Sequence, residues 1–220
     1  MAELVDGYIS GKIDFNGDVL ELLQNDRDKF VNYKVSWVQV QWLIRQLFPN
    51  QHNSSLKDVN STHKEIAEHY DRGNDFFNAF MGETMVYTSG VYRGLDQTLE
   101  QAQFNKMSLI CDKLDVKAGE RFLDIGCGWG TLVRHAAKHF GAQATGVTLS
   151  QEGANWCNAK NKEENLEDKV KILYMDYRQI PDVKPEDRFP NIASIEMAER
   201  VGLKNFQVYL NKVKHLLTDD

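Results

Sequence analysis

Glycine residues are concentrated in one short segment of the sequence, directly after a predicted buried strand. The strand RFLDI covers residues 121–125, and Gly126, Gly128 and Gly130 follow it within the string LDIGCGWG. Glycine lets a backbone turn tightly, and its missing Cβ lets a ligand approach the main chain closely. Asp124 adds a carboxylate at the end of the same strand. The segment therefore predicts a small-molecule binding site at the carboxyl end of this strand.

The spacing of the glycines narrows the class of ligand. The pattern G-x-G-x-G differs from the G-x-G-x-x-G fingerprint that holds the pyrophosphate of dinucleotides. A nucleoside without phosphates therefore fits better than a dinucleotide. Purely structural glycines are the alternative, and the strand–turn–helix context of LDIGCGWGTL argues against it.

The elements that would position this turn alternate between strand and helix after residue 118. Apolar, β-prone runs predict strands, and the runs between them predict helices. Repeated β–α units with apolar strands are typical of an α/β fold with a parallel, doubly wound, Rossmann-like sheet. The predicted strands cover residues 121–125, 143–149, 170–175 and 191–197.

The chain before this region is predicted to be mainly helical. Residues 1–55 form an N-terminal helical extension, residues 56–117 a helical lid or lead-in, and residues 118–220 the N-terminal part of the α/β domain. The lead-in also contains a short β-prone segment, MVYTSGVYRG, at residues 85–94.

The segment at residues 33–49 has Trp37, Leu47 and other apolar residues near helical spacing. It could be an interfacial helix that dips into lipid, or a helix that packs on its own domain or on a partner. Acidic flanking segments and a Gln-rich polar face favour packing. Peripheral contact with a membrane remains a second interpretation.

Composition excludes several classes of protein. The 220 residues carry a formal net charge of −6, which argues against a nucleic-acid partner. Cys111, Cys127 and Cys157 are spaced too irregularly for a disulfide scaffold or a zinc site, so we expect no metal and a reducing intracellular compartment. No run approaches the roughly 18 apolar residues of a membrane span, and the N-terminus lacks a secretory signal. We expect a cytoplasmic protein or one peripheral at a membrane surface.

Several motifs together resemble one family. LDIGCGWGTL, with GVTLSQE after the second strand and MDYRQ after the third, resembles the class I S-adenosylmethionine-dependent methyltransferases. Within these, the chain is similar to the cyclopropane-fatty-acyl-phospholipid synthase and mycolic acid cyclopropane synthase family, and most similar to its sphingolipid C9-methyltransferase-like members. The additional motifs are HYDRGNDFF, Tyr87-Thr88, Thr148–Ser150 and Glu199–Gly202.

This resemblance implies S-adenosylmethionine as the cofactor. It places the glycines of the turn beside the methionine and ribose of the cofactor. Thr148 and Gln151, near the end of the second strand, would lie beside the ribose. Asp176 and Tyr177, after the third strand, would lie beside the adenine, and the aromatic segment over the methionyl end. Carboxylates and aromatic faces suit a sulfonium because it is a cation. The implied cofactor-binding residues are Tyr87, Thr88, Asp124, Gly126, Gly128, Thr148, Gln151, Asp176 and Tyr177.

The resemblance also implies catalytic residues, with departures. In the cyclopropane synthases an alkene attacks the sulfonium methyl, and a bound bicarbonate then removes a proton. Glu199 matches a glutamate that holds the bicarbonate, Ser89 stands where the family has a cysteine, and Arg200 replaces a histidine. A later histidine and tyrosine would lie beyond Asp220. Bicarbonate-dependent ring closure is therefore not supported, whereas methyl transfer with proton loss to another base is.

The sequence thus predicts a methyltransferase that acts on a carbon of an unsaturated fatty acyl or sphingoid chain. About four of the family's seven strands are predicted, so the sheet is expected to be incomplete at the C-terminus, with an open edge at the fourth strand. One alternative is therefore a catalytically inactive subunit that a partner chain completes along that edge. A small-molecule N-methyltransferase is the other.

Overall fold

The computed structural model describes residues 7–30, 37, 40, 41 and 73–219. The chain divides into two compact units, Met1–Asn53 and Ser54–Asp220. In the first unit, helix α1 covers Val19–Phe30. It begins where the Asp18 carboxylate accepts a hydrogen bond from the Leu20 amide at 2.7 Å. The predicted helix at residues 33–49 lies almost entirely outside the described residues.

The second unit is built around a parallel sheet of four described strands. These are β1 (Arg121–Ile125), β2 (Gln143–Thr148), β3 (Val170–Tyr174) and β4 (Asn191–Ala193), in the order β3-β2-β1-β4. All described pairings are parallel, with Asp124 opposite Gly146 on one side and Ala193 on the other. The strand order reverses beside β1, which is where open α/β sheets bind ligands.

The described part of this unit, residues 73–219, contains six further helices, which cover both faces of the sheet. Alternate residues of β1 enter different cores, because successive side chains of a strand point to opposite faces. Phe122 packs with residues of α3 and α4, whereas Leu123 and Ile125 pack with Tyr209 of α7. The helices are α2 (Asn74–Met81), α3 (Leu99–Lys113), α4 (Thr131–His139), α5 (Gln151–Glu163), α6 (Ala198–Val201) and α7 (Leu203–Leu216).

Helix α3 lies against α4 and forms one wall of the site. It begins with a capping box in which the Thr98 hydroxyl accepts from the Gln101 amide, and the Gln101 side chain accepts from the Thr98 amide. The Ser108 hydroxyl on α3 lies 3.0 Å from Nε2 of His135 on α4. These contacts fix the position of α3 relative to the glycine turn that precedes α4.

Two features differ from the sequence-based expectations. The fourth strand ends at Ala193 rather than at residue 197, because the backbone turns at Glu196, whose φ is 55°. The β4 edge is also not bare along its whole length. The Phe189 amide donates to the Leu216 carbonyl at 2.8 Å, and the Thr218 amide donates to the Phe189 carbonyl at 3.1 Å, which forms an isolated parallel bridge between Phe189 and Leu217. A partner chain along this edge stays a prediction.

No helix within the described parts of the chain is long and apolar enough to span a bilayer.

Candidate active site

A cavity of about 160 Å³ lies at the carboxyl ends of β1 and β4. Five segments enclose it: the stretch before α3, helix α3 itself, the end of β1 with the glycine turn and the start of α4, the turn after β4, and helix α6. The lining residues are Met85, Val86, Tyr87, Thr88, Lys106, Met107, Ile110, Asp124, Gly126, Cys127, Gly128, Trp129, Thr131, Leu132, Ile195, Glu196, Glu199 and Arg200.

The glycine turn forms one wall of the cavity. The amides of Gly126 and Cys127 both donate to the Val147 carbonyl, at 2.8 and 2.9 Å, and tie the turn to β2. Gly128 has a φ of +55°, and a Cβ placed on it would meet no atom within 4 Å. At Gly130 a Cβ would instead collide with the sulfur of Cys157 on α5. Gly128 therefore keeps ligand space open, whereas Gly130 permits helix packing.

Asp124 supplies a buried carboxylate to the cavity. Its residue surface is 3% exposed, and burial raises its pKa to about 7 because water no longer stabilises the charged form. Within residues 73–219 and the other described positions, no side chain pairs with this carboxylate by a hydrogen bond or an ion pair. A cation bound in the cavity would stabilise its ionised form.

Aromatic rings form the side of the cavity near α2. The Trp129 ring centroid lies 4.8 Å from that of Phe77 and 6.4 Å from that of Tyr87. The Trp129 indole Nε1 donates to Oδ1 of Asn74 at 2.7 Å, which fixes the ring against the first turn of α2. Trp129 and Tyr87 both line the cavity, so aromatic surface lies beside the buried carboxylate.

The opposite side of the cavity is charged. Lys106 of α3 forms an ion pair with Glu196 in the turn after β4, with 3.3 Å between Nζ and Oε1. Glu199 and Arg200 lie in the short helix α6 that follows this turn, and both line the cavity. The cavity thus contains three carboxylates, with Asp124, and two basic side chains.

Comparison with known proteins identifies the family. The model of the mycolic acid cyclopropane synthetase family matches residues 57–220. This chain belongs to that family. Members of the family are S-adenosylmethionine-dependent methyltransferases, and the fold described above is the class I methyltransferase fold.

Individual relatives align with almost the whole length of this chain. Sphingolipid C9-methyltransferase 2 of Gibberella zeae is 36% identical over 218 residues, which is 97% of this chain and 40% of the relative. A probable fatty acid methyltransferase of Pseudomonas putida is 32% identical over 97% of this chain and 51% of its own length. The chain therefore spans about half or less of the curated relatives it matches. Among solved structures, mycolic acid cyclopropane synthase CmaA1 complexed with SAH and CTAB is 28% identical with a TM-score of 0.66, covering 72% of this chain and 54% of that protein.

The predicted site residues divide into two groups in this family member. Ser89 is solvent-exposed, although its neighbours Tyr87 and Thr88 face the cavity. The residues that line the cavity are Tyr87, Thr88, Asp124, Gly126, Gly128 and Glu199. Those outside its lining are Ser89, Thr148, Gln151, Asp176 and Tyr177.

The second group lies near the ends of β2 and β3, the two strands on one side of β1. The Thr148 hydroxyl accepts a hydrogen bond from the backbone amide of Ser150 at 3.2 Å. The side-chain amide of Gln151 donates to Oδ1 of Asn155 at 2.9 Å. The predicted adenine pair has protein partners too. Asp176 is fully buried and forms an ion pair with Arg178 at 2.7 Å, and Tyr177 contacts the Tyr209 ring edge-on at 5.4 Å.

Sequence analysis missed the contribution of α3 to the site. Lys106, Met107 and Ile110 line the cavity, although they lie well before the glycine turn in sequence. The helical spacing of Met107 and Ile110 is a sequence signal for a core-facing stripe, and Lys106 lies next to this stripe in sequence. No sequence signal showed that this stripe meets the turn after β4.

Proposed function

We propose that this chain binds S-adenosylmethionine at the carboxyl end of β1 and methylates a carbon of an unsaturated lipid chain. The buried Asp124 carboxylate carries the proposal, because it lies beside the glycine turn and has no cationic partner among the described residues. The relatives support the acceptor class, since their names specify sphingolipid and fatty acid methylation. They do not favour a small-molecule N-methyltransferase or an inactive subunit.

The residues present fit this cofactor. Gly128 leaves open space on the main chain, Asp124 offers a negative charge, and Tyr87 and Trp129 offer aromatic surface. A sulfonium is attracted both by a carboxylate and by the faces of aromatic rings. We assign the methionyl end to this cavity, with Gly126, Gly128, Tyr87 and Thr88 along it.

The adenosyl half would extend toward β2 and β3. These strands lie next to β1 in the order β3-β2-β1-β4, and their carboxyl ends carry the remaining predicted residues. We assign Thr148 and Gln151 to the ribose, and Asp176 and Tyr177 to the adenine. Asp176 would act while paired with Arg178, which holds its carboxylate in one orientation.

Bound S-adenosylmethionine would supply an electrophilic methyl group on a positively charged sulfur. The acceptor carbon would bond to that methyl as the sulfur–methyl bond breaks and leaves a neutral thioether, so the acceptor would become positively charged and would then lose a proton. The buried Asp124 carboxylate, which lines the cavity beside the glycine turn, would stabilise this positive charge. We assign Glu199 as the base that accepts the proton, because it lies in α6 and lines the cavity.

The position of Ser89 bears on the product. Ser89 is exposed and outside the cavity lining, which argues against a bound anion shared by Ser89 and Glu199. Arg200 likewise offers no neutral nitrogen to accept a proton. We therefore propose that the product is a lipid chain that carries a new methyl group, rather than one that contains a cyclopropane ring.

Two measurements test this proposal. Titration calorimetry of the 220-residue chain with S-adenosylmethionine should give saturable heat. Incubation with methyl-deuterated cofactor and vesicles should then label a lipid carbon, and separate arms with an unsaturated phospholipid and with a ceramide distinguish the two acceptor types. Absence of cofactor binding would refute the proposal. Labelling of a small amine but of neither lipid would support N-methylation instead.

We also propose that the chain acts peripherally at a membrane surface, because its proposed acceptor is a membrane lipid. Vesicle flotation with the same two lipid compositions measures this directly. Recovery of all the protein in the lipid-free fraction at low ionic strength would contradict it.

A further inference from the structure

An ion pair crosses the cavity between two elements that are distant in sequence. The Lys106 ammonium on α3 lies 3.3 Å from the Glu196 carboxylate in the turn after β4. The Lys106 side chain is only 12% exposed, whereas that of Glu196 is 48% exposed. The buried partner is therefore the cation, and it lines the cavity that also holds Asp124.

Glu196 adopts an uncommon backbone conformation to reach this position. Its φ of 55° lies in the left-handed region, which a non-glycine residue occupies at a cost in free energy. The Ser194 hydroxyl, which donates to the Ile125 carbonyl at 3.0 Å, holds the turn close to β1. Glycine would form the same turn without this conformational cost, but it would not neutralise the charge of Lys106. The carboxylate at this position therefore has an electrostatic rather than a conformational use.

The charge of Lys106 explains the electrostatic role of Glu196. Among the ion pairs of the described residues, Lys106 has Glu196 as its partner. If Glu196 were neutral, a largely buried ammonium would face the cavity and repel a second cation there. S-adenosylmethionine carries a positive charge on sulfur, whereas its product, S-adenosylhomocysteine, has a neutral thioether. Any change in the charge of this wall must therefore act on the two ligands unequally.

We propose that the Lys106–Glu196 ion pair is a charge-compensating element that lets the cavity prefer the sulfonium cofactor over its neutral thioether product. This inference rests on the proposed function, since it concerns the same cavity. It assigns to both residues a role in cofactor selectivity and in product release. Neither residue needs to contact the acceptor for this role.

The test is the ratio of the two dissociation constants, measured by calorimetry on the full 220-residue chain at one pH. Glu196→Gln should weaken S-adenosylmethionine binding by about tenfold and change S-adenosylhomocysteine binding less than about twofold. Lys106→Met should shift the ratio in the opposite direction. The double variant should return the ratio toward that of the wild type, since it removes both charges.

Controls separate electrostatics from folding. Lys113→Met removes a positive charge from the exposed end of the same helix and should leave the ratio unchanged. Glu196→Gly removes the carboxylate and relieves the backbone cost, so it should melt at a higher temperature than Glu196→Gln while it shifts the ratio as that variant does. Thermal unfolding of each variant checks that the chain is folded.

Different failures have different meanings. Equal weakening of both ligands by Glu196→Gln would show a structural role only and would overturn the inference, as would an unchanged ratio. In either case the wild type would still bind cofactor, and the proposed function would stand. A folded wild-type chain that binds neither ligand would overturn the proposed function and this inference together.

Discussion

At the scale of single residues, Asp124 links the electrostatics of the cavity to measurable behaviour. Burial raises the pKa of its carboxyl to about 7, so near neutral pH the side chain is partly protonated. A bound sulfonium favours the ionised form, because opposite charges attract strongly where water is excluded. Cofactor binding and proton release from Asp124 are therefore coupled.

This coupling predicts a pH-dependent affinity. For the wild type, the affinity for S-adenosylmethionine should rise about fivefold from about pH 6 to about pH 7 and level off above about pH 8, because below its pKa Asp124 must first lose a proton. Asp124→Asn should bind more weakly and lose this pH dependence. Calorimetry in buffers of different ionisation enthalpy measures the proton released. An equally steep pH profile in the Asn variant would assign the proton to another group.

Glu199 gives a second prediction at this scale. Glu199→Gln removes the proposed proton acceptor while it preserves the shape of the side chain, so the rate of methyl transfer at saturating cofactor should fall about a hundredfold. The measurement is incorporation of labelled methyl into unsaturated lipid. Glu167→Gln, an exposed carboxylate outside the cavity, is the matched control and should keep the wild-type rate. An unchanged rate in Glu199→Gln would place the base elsewhere.

At the scale of elements, the strands show what sequence patterns can predict. The cores of β1, β2 and β3 were predicted closely, because short apolar runs bounded by turns are typical of buried parallel strands. The fourth strand was predicted too long, since the pattern of NIASIEM contains no sign of the left-handed turn at Glu196. Backbone strain of this kind depends on tertiary contacts such as that of Lys106 with Glu196.

The β-prone segment at residues 85–94 shows the same limit. It contains no strand, and its polar groups bond to α3 instead. The Val91 amide donates to the Ala102 carbonyl at 2.8 Å, and the Gln103 side chain donates to the Val86 carbonyl at 3.4 Å. Preference for strand thus yielded to contacts with a helix, because β-propensity depends strongly on context. The glycine turn could be predicted without tertiary contacts, because the glycines that allow its conformation are also residues of the proposed binding site.

The glycine turn allows a paired prediction. Gly128→Ala should cost only about 1 kcal/mol of stability, from the positive φ alone, but should weaken cofactor binding, because its methyl group enters free cavity space. Gly130→Ala should cost about 3 kcal/mol, because its methyl group collides with Cys157 between α4 and α5. Urea denaturation and calorimetry measure the two effects. Equal destabilisation by both variants would contradict this division of roles.

At the scale of the whole molecule, two buried groups give the folded chain opposite responses to pH. His135 is 5% exposed, and burial, with a smaller contribution from the nearby His139, lowers its pKa to about 4. Folding therefore favours its neutral form, which imposes no penalty above about pH 6.5 and a growing one as the pH falls toward 4. Asp124 behaves in reverse. Its penalty is absent below about pH 3.8 and grows as the pH rises toward 7.

The two contributions should cancel between about pH 4 and pH 6.5, because folding takes up a proton at Asp124 and releases one at His135. In Asp124→Asn the contribution of His135 is no longer cancelled, so the free energy of unfolding should rise by about 1.4 kcal/mol per pH unit relative to the wild type. In His135→Gln the contribution of Asp124 is no longer cancelled, so the free energy of unfolding should fall with rising pH by a similar amount relative to the wild type. Urea denaturation of the cofactor-free chain at several pH values across this window measures both. The double variant serves as the control and should run parallel to the wild type, since it lacks both titrating groups. If Asp124→Asn also ran parallel to the wild type, its carboxylate would have to be ionised in the folded chain, and the cavity would already contain the positive charge that the proposed cofactor is meant to supply.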